Sequence, residues 1–295
     1  MTTDKKLKFA IFGNVYQAKK SASIQKILSI LNEREAEVFF EREFYDFLVV
    51  NQRLSVKADD VFDGDNFDAD FVISMGGDGT FLKAASHVGA KDIPVMGVNM
   101  GRLGFLADVN PAVIEKAIDS IYKNNFKVER HTVICVKNQG GQMQGCPFAL
   151  NDIAVLKRDD ASMISIRVSV NGEYVVTYRA DGLIVSTPTG STAYSLSNGG
   201  PIVAPQAGVL CLTPVAPHSL NVRPIVVPDN AEIAISVESR NHNFLVAVDG
   251  RSERCDEGLT LTISRAPYDI QIIKRRGQKY FSTLREKMMW GADTR

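Results

Sequence analysis

Net charge is the first thing missing: 34 Lys and Arg balance 34 Asp and Glu, for a formal charge of zero. A nucleic-acid binder normally carries a basic excess, so that class is set aside. No acidic tail marks an interaction segment either. A small anionic ligand stays possible, because it needs local groups rather than bulk charge. Cysteine is scarce, limited to Cys135, Cys146, Cys211 and Cys255. None is spaced as CxxC, which argues against a zinc ribbon, and the low, scattered count fits a reducing compartment. Long apolar runs are absent. Phe9-Ala10-Ile11-Phe12 stops at Gly13, too short for a signal-peptide core or a membrane span. A cytoplasmic protein without membrane or nucleic-acid partners is therefore expected. Internal repeats and low-complexity tracts are also missing.

What is present is ordinary globular material. Of 295 residues, 45% are hydrophobic and 23% charged, enough for one large or two smaller cores. The first ~125 residues alternate strand and helix signals by periodicity. Strands are expected over Leu7–Phe12, Val38–Phe40, Phe71–Met75 and Ile93–Val98. Helices are expected after a Ser21 or Ser23 cap, with Ile24, Ile27, Leu28 and Leu31 on one face, over Thr80–Val88, and from Pro111 through Ile121. Such alternation predicts a parallel sheet covered on both faces.

Near Phe126 the pattern changes to short strands: 132–136, 149–156, 164–170, 174–178, 183–186, 232–237, 245–248 and 259–263. Asn171-Gly172 and Asp249-Gly250 suit type I′ hairpins. The fold class is thus an N-terminal α/β domain with a parallel sheet plus an all-β, sandwich-like C-terminal domain. The expected domains are 1–125, 126–275, and a tail 276–295 packing back on the first, with a short helix over Arg285–Trp290.

Four segments carry possible chemistry. Gly76-Gly77-Asp78-Gly79-Thr80 follows a strand and precedes a helix, the place where open α/β sheets hold ligands. Glycines let backbone approach phosphates, and the helix start offers N–H groups. A carboxylate there is repelled by phosphate unless it binds a metal or handles the proton of a nucleophile, and both tasks belong to phosphoryl transfer. The plain alternative is an Asp-Gly turn. Lys83, one helical turn on, either reaches a phosphate or is solvated. The loop from Gly97 to Leu106 ends the next strand, and Phe105 either walls a ring-bearing ligand or belongs to the core. Asn151-Asp152 offers amide and carboxylate to ribose hydroxyls, or simply turns. Arg179–Pro201 is dense in Ser, Thr and Gly around Tyr194, and reads as a flexible loop or as a set of donors with one stacking ring.

These segments together resemble the NAD kinase family. The resemblance rests on GGDGT at 76–80, NMGRLGFLAD at 99–108, ND at 151–152 and DGLIVSTPTGSTAYSLSNGGP at 181–201. GGDG is shared with lipid kinases, whereas the last stretch is much more specific. The resemblance implies NAD bound between the two domains and Asp78 as general base or as the group orienting the adenosine ribose diol. Gly76, Gly77, Gly79 and Thr80 would surround ATP phosphates and a divalent metal, Mg²⁺, that is not held permanently. The implied NAD-binding set is Asp78, Gly79, Lys83, Phe105, Asn151, Asp152, Arg179, Asp181, Thr192, Ala193, Tyr194, Ser197 and Arg251. A homodimer or homotetramer is implied, because neighbouring subunits of the family contribute to one site. Two positions depart from the family pattern: Ser162, where members often carry His or Arg, and Arg251, where many bacterial members carry Gln.

The expected reaction is phosphorylation of the NAD adenosine ribose 2′-hydroxyl by ATP. A diacylglycerol- or sphingosine-type lipid kinase would need an apolar groove, against which the Thr/Ser-rich 187–197 segment argues. A non-catalytic dinucleotide sensor would bind without turnover, against which Asp78 argues.

Overall fold

The near-continuous apolar runs of the first half become a parallel sheet because both of its faces are covered. In the computed structural model, which describes residues 6–15, 21–101, 104–138, 145–158, 162–277 and 279–289, two compact units form. Arg102, Leu103 and Trp290 lie outside the described residues. One unit comprises Met1–Arg130 with Ile270–Arg295, and the other His131–Asp269.

The first unit contains β1 (Lys8–Gly13), α1 (Ser21–Glu33), β2 (Glu37–Glu41), α2 (Arg42–Asp46), β3 (Asp60–Phe62), β4 (Phe71–Gly76), α3 (Asp78–Val88), β5 (Val95–Asn99) and α4 (Ile114–Tyr122). Its strands run parallel in the order β5-β4-β1-β2-β3. Alternation along β1 divides the covering layers. Phe9 and Ile11 join Ile24, Ile27 and Leu31 of α1 and Ile114, Ile118 and Ile121 of α4 in one core. Phe12, on the opposite face, stacks on His87 of α3. The short α2 and the one-turn π-helix that follows it, and β3, carry too few residues for a periodicity and were not foreseen.

The second unit contains the end of β6 (Phe126–Asn138), β7 (Phe148–Ala149), β8 (Asp152–Leu156), β9 (Ile164–Val170), β10 (Glu173–Ala180), β11 (Gly182–Ser186), α5 (Tyr194–Ser197), β12 (Val209–Val215), β13 (Ile225–Pro228), β14 (Ile233–Glu238), β15 (Asn243–Val248), β16 (Arg251–Asp256) and the start of β17 (Thr260–Arg275). β10, β9, β14 and β17 pair antiparallel in that order, and β13-β12-β11-β8-β15-β16 form a second antiparallel sheet. Ile166, Val168 and Ile235 of the first share a core with Val155, Val185, Leu212 and Val246 of the second. This is the sheet-on-sheet packing expected of a sandwich. Both predicted hairpin turns have positive φ at each central residue: Asn171 50° and Gly172 82°, Asp249 47° and Gly250 80°. The last described helix is α6 (Tyr280–Met288), part of the first unit, with Leu284 fully buried. Among the described residues no helix is long and apolar enough to cross a membrane.

Candidate functional site

In the first unit two glycine loops meet on one carboxylate. β4 ends at Gly76, Gly77 precedes the first turn of α3, and Asp78 is that turn's only acidic residue. The first helical hydrogen bond runs from Phe81 N–H to Gly77 C=O, so the amides of Asp78, Gly79 and Thr80 precede the helix's own ladder. Asp78 turns away from them toward the loop after β5. Its Oδ1 accepts from Leu106 and Ala107 N–H, both at 3.0 Å, and its Oδ2 from Phe105 N–H at 3.0 Å. Gly104 makes this approach possible: a Cβ there would sit 2.0 Å from Asp78 Oδ1. The fourth donor is Lys287 Nζ of α6, 3.2 Å from Oδ2 and 4.2 Å from the Phe105 ring centroid. Burial alone would raise the Asp78 carboxyl, but the Ala107 amide, the Lys287 ammonium and the Phe105 and Leu106 amides outweigh it and hold it below the ordinary aspartate value.

Beside α3 lies a cleft of about 300 Å³ lined by Gly13, Asn14, Val15, Glu43, Gly79, Thr80 and Lys83. Lys83 lines this cleft with its side chain part-exposed. Its ammonium pairs with Glu41, at 3.2 Å, and with Glu43. Burial works against its charge, but the two carboxylates prevail and raise its pKa. Lys287, invisible to a local reading 209 residues from Asp78, is the cation beside the carboxylate.

In the second unit the chain between β7 and β8 is pulled into a turn by Asp249. One carboxylate oxygen accepts from Leu150 N–H at 2.8 Å, and the other from Asn151 at 2.8 Å and Asp152 at 3.1 Å. This is why 149–156 breaks into two strands. Asp152 is 6% exposed, and burial together with the Asp249 charge pushes its pKa up to about 7. Burial also raises Asp249, with its three amide donors and Arg251 opposing without cancelling. Arg251 donates to Phe148 C=O at 3.1 Å and remains exposed.

The 187–200 segment is built rather than loose. Thr187 Oγ1 donates to Leu150 C=O at 2.6 Å and accepts from Gly190 N–H at 3.1 Å. Ser191 Oγ accepts from Val203 N–H at 3.0 Å, and Ser195 Oγ meets Thr213 Oγ1 at 2.9 Å. A Cβ on Gly190 would sit 2.0 Å from Asn151 O. Its hydroxyls therefore satisfy buried backbone, which overturns the flexible-loop reading. Thr192 and Ala193 are half-buried, and Tyr194 and Ser197 are exposed.

Asn151, Asp152, Asp249, Arg251 and Gly190 thus gather in one place. Arg179 and Asp181 do not join them. Asp152 pairs with Ser186 and Leu156 with Gly182, so Asp181 lies past the far end of the strand pair. That is roughly 17 Å along the strands from Asp152 at the usual rise per residue. Asp181 pairs there with Lys157 at 2.9 Å, and Arg179 is exposed. Ser162 is half-buried, ahead of the exposed Met163. Among the described residues no three His, Cys, Asp or Glu side chains are grouped to hold a metal ion.

Residues 9–126 match the model of the ATP-NAD kinase N-terminal domain, and residues 150–275 that of the ATP-NAD kinase C-terminal domain. An NAD kinase of Bacteroides fragilis is 58% identical over 289 residues, 98% of this chain and 100% of the relative. One of Porphyromonas gingivalis is 41% identical over 288 residues, 98% of this chain and 99% of the relative. Among solved structures, an Archaeoglobus fulgidus NAD kinase in complex with ATP superposes with a TM-score of 0.75 at 29% identity, over 96% of this chain and 99% of that one. Yeast NADH kinase complexed with NADH shares the fold, with a TM-score of 0.89 at 21% identity over 99% of this chain and 90% of that one.

Proposed function

The chain belongs to the ATP-NAD kinase family and phosphorylates NAD, and from that premise we propose how its residues divide the work. The observation that carries the proposal is the meeting of both glycine loops on Asp78. A carboxylate fixed by backbone amides can accept a hydroxyl proton in one defined direction, which is what orienting the adenosine ribose 2′-hydroxyl requires. Phosphoryl transfer proceeds through a loose transition state, so the hydroxyl keeps its proton until late and a weakly basic carboxylate suffices.

ATP, in this reading, lays its phosphates in the cleft against the first turn of α3. Gly76, Gly77, Gly79 and Thr80 supply close backbone and N–H donors there. A divalent cation, Mg²⁺ in our reading, neutralises the triphosphate when bound. The donor set fits a metal carried by the nucleotide. Both Asp78 oxygens are already engaged, and Glu43, which lines the cleft with one oxygen on Lys83, can turn its other oxygen to the metal. Lys83, held by Glu41 and Glu43, serves the donor side rather than the dinucleotide.

Phe105, Asn151, Asp152, Tyr194, Thr192, Ala193, Ser197 and Arg251 serve the dinucleotide. The Asn151–Asp152 turn offers polar groups to ribose or carboxamide, and the exposed Tyr194 ring offers a stacking face. Arg179 and Asp181, set apart from this group, suit a site in a second copy of the chain, which favours a homo-oligomer. Four free thiols suit the cytoplasm. The test is direct: purified protein with NAD, ATP and Mg²⁺ yields NADP, read with an NADP-specific coupled dehydrogenase. Absence of NADP at full substrate and metal would refute the assignment.

A further inference from the structure

Phosphoryl transfer beside a carboxylate gathers negative charge from the triphosphate and from Asp78 itself. The divalent cation answers the triphosphate; the phosphoryl group moving toward Asp78 calls for a second cation on the acceptor side. Lys83, on the same helix as Asp78, is committed to Glu41 and Glu43. Among the described residues, Lys287 is the cation that ion-pairs with Asp78.

The four donors on Asp78 are not equivalent. Those of Phe105, Leu106 and Ala107 are backbone amides of one buried turn, packed so closely that Gly104 has no room for a Cβ. The fourth is the end of a flexible lysine side chain, itself 29% exposed. A hydroxyl that docks on Oδ2 can replace only that one. Lys287 would not then be lost to solvent. Leu284, three residues earlier on the same helix face, is fully buried, and the ammonium lies over the Phe105 ring.

We propose that Lys287 is a catalytic residue of the phosphoryl transfer: it caps Asp78 Oδ2 until the acceptor hydroxyl takes that place, and its displaced ammonium then pairs with the oxygens of the phosphoryl group in flight. In that step the hydroxyl oxygen forms its bond to the γ-phosphorus. The bond from that phosphorus to its bridging oxygen breaks, with the electron pair staying on ADP. The hydroxyl proton passes to Asp78 and then to water. The assignment rests on Asp78 being the acceptor-side carboxylate, so both residues are tested together.

In Lys287→Ala, kcat should fall about 10²-fold, the scale for removing one preorganised donor of transition-state charge. The Kd for NAD, by calorimetry, should stay level or drop, because a competitor for Oδ2 is gone. Added ethylammonium should restore about tenfold of the lost kcat, as a small cation fills the vacated place. Turnover within about twofold of the parent overturns the assignment. So does a loss of turnover with weakened NAD binding and no amine rescue, which marks a structural lysine. Asp78→Asn, run alongside, separates the two ideas. If it keeps normal turnover, the reading of Asp78 fails. If it is disabled while Lys287→Ala is not, only the role of Lys287 fails.

Discussion

Asp78 and Asp152 show what surroundings do to one kind of side chain. Asp78 is ringed by donors, three backbone amides and an ammonium, which hold its carboxyl below the ordinary aspartate value. Its replacement by Asn keeps the size and loses the proton acceptor. Turnover of Asp78→Asn should fall by about 10²-fold or more, with a smaller change in NAD affinity. Steady-state kinetics beside calorimetry check this. Asp152 is buried against a second carboxylate, and its pKa rises to about 7. Below the unfolded value near 3.8 the group is protonated in both states and contributes no pH dependence. Between that value and 7 the unfolded chain releases the proton while the folded chain keeps it, so stability falls as pH rises, and the full penalty stands above 7. Asp152→Asn should therefore melt several degrees above the parent at pH 8 and converge with it near pH 4, by thermal melts across that range. A parent advantage at pH 8 would mean that the ionised carboxylate is held by groups that favour it.

At the scale of elements, strongly periodic segments were legible and short or interrupted ones were not. The parallel strands and their helices announce themselves by apolar runs and amphipathic spacing. β13 contains a proline and is half exposed, β12 carries Pro214, and β16 is an edge strand of largely polar residues, so none shows the alternation of a half-buried strand. The break between β7 and β8 is caused by Asp249, about a hundred residues on, and no local pattern carries it. The site divides the same way. Gly76–Thr80 and Asn151–Asp152 can be found from their turns, while Lys287 belongs to a distant helix whose own pattern is unremarkable. Composition alone does not tell a loose 187–197 segment from a built one, because its hydroxyls turn inward to backbone and to Thr213. Filling its tightest point should be costly. Gly190→Ala forces the turn off Asn151 and should destabilise the protein by about 1–3 kcal/mol, the cost of overpacking, by urea denaturation.

For the whole molecule, two tests follow from what its parts lack. With no grouped ligands among the described residues, metal should matter to turnover and not to folding. EDTA should abolish phosphate transfer while leaving the melting temperature and NAD binding nearly unchanged, by melts and calorimetry in parallel. If Arg179 and Asp181 serve a neighbouring copy, mixing inactive Asp78→Asn with inactive Asp181→Ala should regain part of the activity as subunits exchange. No recovery in a mixture proven to exchange would show that each copy is self-sufficient. The chain's path adds a constraint in time. The first unit is discontinuous, started by residues 1–130 and finished by 270–295. Lys287 emerges 209 residues after the carboxylate it meets, a wait of roughly 10–40 s at ordinary translation speeds. During that interval a growing chain already carries Asp78 and the turn that binds it, but not the lysine. A ribosome that stops before residue 287 therefore releases a product without the Lys287 contact, so the pairing can form only after the whole second unit has been translated.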